Sequence, residues 1–125
     1  MSNKPTAAIG IKIREYITPT GKSPFGDWLA KLRDQEAKAK ILTRFDRLEM
    51  GNFGDHKYLR DGVYELRIPH GKGYRVYYGR DGDTIVLLLY GGDKSSQNKD
   101  IGNAVAYWRA YQGEQLNAKS NISNQ

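Results

Sequence analysis

Three consecutive segments, residues 63–68, 74–80 and 84–90, are dense in β-branched and aromatic residues and are separated only by turn-forming residues. Side chains of that kind fit a pleated, half-buried surface, so this stretch commits the second half of the chain to an antiparallel sheet. The loop Pro69-His70-Gly71-Lys72-Gly73 joins the first two segments, Asp81-Gly82 joins the second and third as a type I′ hairpin turn, and Gly91-Gly92 stops the last. With loop 69–73 closing symmetrically, Ile68 faces Tyr74, Arg67 faces Arg75, Leu66 faces Val76 and Glu65 faces Tyr77. Alternation then puts Tyr64, Leu66, Ile68, Tyr74, Val76 and Tyr78 on a core face, extended by Ile85, Leu87 and Leu89. Glu65, Arg67, Arg75 and Tyr77 fall on the other face. A single extra residue in either strand would separate Arg67 from Arg75.

The first half reads as helices behind one strand. Residues 1–8 are polar and aperiodic, a loose start. Ile9, Ile11 and Ile13 alternate with Gly10, Lys12 and Arg14, the period of a half-buried strand, and Thr18-Pro19-Thr20-Gly21-Lys22 breaks it. Ser23-Pro24 supplies an N-cap and a proline at the first helical position, ahead of a short stripe of Phe25, Trp28, Leu29 and Leu32. Asp34 caps a second helix with Ala37, Ile41, Phe45 and Leu48 on its apolar side, closed by Gly51-Asn52. The Trp28/Leu32 and Trp108 stripes are expected in the core. Ile101, Ala104, Val105 and Trp108 mark a last helix over about residues 97–112, and residues 113–125 read as a polar, frayed tail. The expected fold class is α+β: one domain over residues 9–112, ordered β-α-α-β-β-β-α, its mostly antiparallel sheet packed with helices.

Composition removes several chemistries. With no cysteine, a disulfide scaffold, a zinc–thiolate module and a cysteine nucleophile are excluded. No apolar run approaches the roughly 18 residues of a membrane span, and the first ten residues lack the apolar core of a signal peptide, so a cytoplasmic, membrane-free setting is expected. Two isolated histidines without a carboxylate cluster at helical spacing make no metal set, and no nucleotide fingerprint is present, so neither metal nor cofactor is expected. The net charge is +6, and residues 56–80 alone hold +4 of it. Two arginines directly opposite on one sheet face repel, so either a carboxylate neutralises them or they share an anion. Guanidinium forks match phosphate oxygens, and Lys94 follows the Gly91-Gly92 break beside the same basic face. Lys57, His70 and Lys72 add further contacts for a polyanion, and Tyr77 offers a ring for a base to stack on. Glu65, His56 and His70 are the groups able to move a proton near this face.

Gly62-Val63-Tyr64-Glu65-Leu66-Arg67-Ile68, Gly73-Tyr74-Arg75-Val76-Tyr77-Tyr78, Ile85 to Leu89 and Gly91-Gly92-Asp93-Lys94-Ser95-Ser96-Gln97 together resemble the RelE/ParE superfamily of toxins, and within it the HigB-like addiction module killer protein branch. Trp28-Leu29, Arg47-Leu48 and Gly51-Asn52-Phe53-Gly54-Asp55 fit the same branch, so the resemblance spans about residues 9–112. It implies a small αβ fold and a ribosome-dependent endoribonuclease that cuts mRNA, arrests translation and growth, and is neutralised by an antitoxin, a helix-turn-helix protein from the adjacent gene. It also implies an alternative, since ParE-like relatives inhibit DNA gyrase on the same fold; a non-catalytic nucleic-acid-binding domain is the third possibility. Carried over by position, the phosphate-binding arginine falls on Arg75, a basic residue of the preceding strand on Arg67, and the basic residue after the glycine break on Lys94. The family's tyrosine near the start of the last helix has no counterpart, for that segment reads Asn98-Lys99-Asp100-Ile101 and the nearest tyrosines are Tyr107 and Tyr111. The acid and base therefore stay open among Glu65, His56, His70 and Lys94.

Overall fold

In a computed structural model, which describes residues 10–123, the chain forms a five-stranded sheet and three α-helices. In order these are β1 (Lys12–Glu15), α1 (Pro24–Lys31), α2 (Gln35–Glu49), β2 (His56–Arg60), β3 (Val63–Ile68), β4 (Tyr74–Asp81), β5 (Ile85–Gly92), a 3-10 turn (Lys94–Ser96) and α3 (Gln97–Ser123). The sheet order is β1-β5-β4-β3-β2, antiparallel except where β1 runs parallel to β5. The α+β class read from the sequence therefore holds. No helix among the described residues is long and apolar enough to cross a membrane.

The helix starts follow from their caps. Ser23 Oγ accepts from the Gly26 amide at 2.9 Å with Pro24 in the first turn, and Asp34 Oδ1 accepts from the Ala37 amide at 3.0 Å. The expected start at residues 1–8, and Ile9 of the expected first strand, lie outside the described residues. Ile11 and Ile13 still serve the core as their spacing predicts: Ile11 is buried in it and Ile13 packs against it.

Both faces of the central strands are covered. Leu66, Ile68, Tyr74, Val76 and Tyr78 join Phe25, Ala37, Ile41 and Leu48 beneath α1 and α2, with Tyr64 packed alongside, as the expected core face requires. The expected extension by Ile85, Leu87 and Leu89 is corrected. Val86 and Leu88 fill that face, while Leu87 and Leu89 turn to the second cluster with Val63, Tyr77, Ala104, Val105 and Trp108 of α3. The cause is loop length. Asp81 remains in β4 and pairs with Ile85, so the connection is the three residues 82–84 rather than a two-residue turn, and the odd count reverses the facing of β5. An irregularity then places Tyr77 against Tyr90 but Tyr78 against Leu88, which inserts Leu89 and restores the original facing for Gly91 and Gly92.

Two further expectations are corrected. His56 does not merely precede the hairpin: residues 56–60 form the edge strand β2, exposed except at half-buried Leu59. An edge strand rich in charge carries no apolar alternation, so its sequence resembles a loop. The final helix also runs past residue 112 to Ser123.

At Gly91 the sheet and α1 approach closely, because a Cβ there would lie 2.2 Å from the Trp28 ring. Gly91→Ala is expected to lower stability by about 1–3 kcal/mol, since an overpacked core must shift its ring or backbone, and a urea unfolding midpoint measures it.

Candidate functional site

The register of β3 and β4 sets the site. Arg67 pairs with Arg75, and Glu65 with Tyr77, as symmetrical closure of loop 69–73 predicts. The two like charges do not stand bare. Arg67 donates from Nε at 3.0 Å and Nη2 at 2.9 Å to Asp55 Oδ1, and that bond holds the guanidinium still more firmly in its charged form. Arg75 Nε lies 3.3 Å from Glu65 Oε1, close enough for charge pairing but not aligned for a hydrogen bond. The Arg67 side chain is 40 % exposed and that of Arg75 14 %, so one guanidinium stands at the rim and the other lies recessed beside it.

The geometry of this pair is secured from behind. Arg44 of α2 donates to the carbonyls of Arg67 at 2.6 Å, Phe53 at 2.9 Å and Asp55 at 2.9 Å. One planar fork thus fixes the 53–55 loop against β3 and holds Asp55 where its carboxylate meets Arg67. On the inner side, Glu65 is 2 % exposed and accepts from Gln97 Nε2 at 3.4 Å, at the start of α3. The Tyr77 hydroxyl is buried without a hydrogen-bond partner, and burial beside Glu65 keeps it protonated well above the usual phenol range.

Asp100 lies in the same region, 5 % exposed, and accepts from Ser96 Oγ. Only glycine at position 92 leaves room for it, since a Cβ there would stand 1.8 Å from Asp100 Oδ2. Burial pushes this carboxyl above the usual carboxylate range, against the opposing Ser96 hydrogen bond. Asp93 opens the 3-10 turn, accepting from the Ser95 amide at 2.8 Å, and its carboxyl is held below the usual range by the bonds from Ser95. Lys94 follows with an exposed side chain; its amide donates to the Lys72 carbonyl at 3.4 Å, which ties the hairpin tip to the entrance of α3.

Arg67, Arg75, Glu65 and Lys94 are therefore gathered at one end of the sheet. Lys57 pairs with Glu65 across β2 and β3, so it shares their face, and Lys72 stands exposed on the tip. The other expected residues lie elsewhere. His56 pairs with Leu66 and so belongs to the opposite face, its ring 5.3 Å from that of Phe53 and its Nδ1 3.0 Å from the Gly54 carbonyl. His70 faces the start of α2, 3.3 Å from Asp34 and 3.7 Å from Glu36. Tyr77 is wholly buried under α3 and presents no ring for a base. Asp55, Gln97 and Asp100 complete the arrangement although the sequence does not single them out. Asp100 does carry a signal: with Ala104 and Trp108 it lies at steps of four on the buried stripe of α3, where a carboxylate is out of place.

Two outcomes follow. Arg75→Ala leaves Glu65 buried without its cation and is expected to cost about 3 kcal/mol, whereas Arg75→Ala combined with Glu65→Gln recovers most of the loss in chemical unfolding. For Asp100, the folded state holds the proton more tightly than the unfolded chain. The stability this provides is full below the unfolded value and is lost as pH rises through the folded one. Asp100→Asn, which keeps an acceptor for Ser96, is expected to gain on the wild type as pH rises from about 3 to about 7, read from urea midpoints.

Comparison with known proteins places the chain in a family. The model of the family described as phage-derived protein Gp49-like matches residues 27–104, which take in β2 to β5, the 3-10 turn and every residue of the cluster. A Haemophilus influenzae protein named only as uncharacterized is 55 % identical over 80 residues, covering 64 % of this chain and 81 % of the relative. The chain belongs to the Gp49-like family of phage-derived proteins, a toxin-like family of the RelE/HigB type.

Proposed function

We propose that the chain is the toxin of a type II toxin–antitoxin system and acts as an endoribonuclease on mRNA held by the ribosome. The observation that carries this reading is the pairing of Arg67 and Arg75 across β3 and β4, with Lys94 at the same end of the sheet. Three cations of this kind suit a phosphate whose negative charge grows as bonds are made and broken. The RNA supplies its own nucleophile. Its 2′-oxygen forms a bond to the adjacent phosphorus and loses its proton to a base; the bond to the 5′-oxygen breaks, and that oxygen takes up a proton. The products are a 2′,3′-cyclic phosphate and a 5′-hydroxyl end. Arg75 and Arg67 stabilise the equatorial oxygens, and Lys94 stabilises or protonates the leaving oxygen. Glu65, engaged by Arg75 and Gln97, acts by holding Arg75 in place. With both histidines turned elsewhere, orientation of the 2′-hydroxyl for attack falls to the ribosome. The partner expected of a toxin is an antitoxin, here a helix-turn-helix protein from the adjacent gene, with an acidic segment to match the basic cluster.

The test is induced expression in cells with mapping of mRNA 5′ ends. Wild type is expected to arrest growth and generate new 5′-hydroxyl ends. Arg67→Ala, and Arg75→Ala in the Glu65→Gln background that keeps the fold, are expected to lose about 10²–10³-fold in cleavage, the usual effect of removing one stabiliser of transition-state charge. Growth arrest with intact mRNA and trapped DNA breaks would replace this reading by gyrase inhibition. No growth effect at all would leave a nucleic-acid-binding domain. Co-expression of the neighbouring protein is expected to restore growth and co-purify.

A further inference from the structure

Across the hairpin tip from Arg75, on the α1 side of the sheet, lies an open cleft of about 600 Å³ between the end of α1, the tip and Asp93. Its wall is aromatic. Trp28 is half-buried and packs closely against Gly91, with ring centroids 6.4 Å from Tyr74 and 5.9 Å from Phe25, so it is held in place by packing. Its rim is basic, with Lys31, Arg33 and Lys72 all exposed. None of the three makes a salt bridge among the described residues. The two carboxylates at the cleft are already engaged. Asp34 caps α2 and meets His70 and Tyr74, and Asp93 caps the 3-10 turn.

We propose that this cleft is a nucleotide subsite, taking one base of a single-stranded RNA against Trp28 and the flanking phosphates on Lys31, Arg33 and Lys72. The identification of RNA as the ligand rests on the ribonuclease reading. A packed aromatic ring bordered by exposed cations is the arrangement that binds single strands without regard to sequence, by stacking and by backbone charge together. Continuity with the cleavage site supports it. The Lys94 amide meets the Lys72 carbonyl at 3.4 Å, so a strand leaving Arg75 and Lys94 passes over the tip, where Gly71 and Gly73 carry no side chain to obstruct it, and enters the cleft. The subsite thus holds a nucleotide one step or more from the scissile phosphate and sets where the strand is cut.

The test uses the full chain and a short single-stranded RNA with every 2′-hydroxyl methylated, so that binding is read whether or not the chain cuts. Fluorescence anisotropy gives affinity, and tryptophan emission reports stacking. The triple variant Lys31→Ala, Arg33→Ala, Lys72→Ala, which changes only exposed side chains, is expected to bind at least tenfold more weakly. Its dependence of log affinity on log salt is expected to be shallower by about 2, the loss of three single-strand phosphate contacts. Emission is expected to fall on binding in the wild type and to be unresponsive in Trp28→Phe. Unchanged affinity in the triple variant, quenching that survives Trp28→Phe, or no binding by the wild type would each overturn the subsite. So would an acidic peptide of equal charge competing as well as RNA, since it would show the ring to have no part. mRNA end mapping decides the ribonuclease reading separately, because cleavage with an unaltered triple variant removes the subsite alone.

Discussion

Arg67 and Arg75 face each other across two hydrogen-bonded strands, and much of the sheet's polar architecture answers to that contact. Each guanidinium has its own carboxylate, but the two are supplied differently. Asp55 reaches Arg67 from a loop at the surface, where water screens the pair; Glu65 reaches Arg75 from within the sheet, where little water remains. The exposed pair contributes little to stability and leaves Arg67 able to exchange its partner for another anion. The recessed pair matters more, because neither member can be removed without stranding the other. The result is one cation exposed at the rim and one recessed beside it, on the same face of the sheet.

The buried polar groups beneath Arg75 carry this difference into α3. Glu65 accepts from Gln97, Asp100 fits over Gly92, and Ser96 bonds Asp100, so the start of α3 is docked on the sheet through carboxylates rather than through apolar packing alone. The apolar part of the interface begins beside Asp100 at Ile101 and continues through Ala104, Val105 and Trp108. A polar entrance and an apolar body give the helix a single seating.

The sequence makes the β3–β4 register legible because five loop residues close symmetrically and the flanking residues alternate cleanly. Beyond the second turn the alternation misleads. Asp81-Gly82 looks like a complete two-residue turn, but Asp81 stays in the strand, and only the backbone pairing reveals the odd loop and the later insertion of Leu89. β2 is hidden for a different reason: an exposed edge strand has no face to bury, so nothing selects alternation in HKYLR. At the site, Arg67, Arg75 and Lys94 follow from local pattern. Asp55 and the histidine placements do not, because they depend on which loop returns to which strand. His70 sits one residue from the tip yet is drawn to α2 by Asp34 and Glu36, a contact that no spacing along the chain encodes.

The three-residue turn after β4 has a consequence for what changes this chain tolerates. Because β5 is buried on both sides, its two sets of side chains are sorted by shape: Val86 and Leu88 fit against α1 and α2, Leu87 and Leu89 against α3. Gaining or losing one residue in the turn would exchange the sets and bring every one of them to the wrong partner, whereas a change of two would return each to its own. Length variation at this turn is therefore governed by parity rather than by size, and a shorter loop is no safer than a longer one.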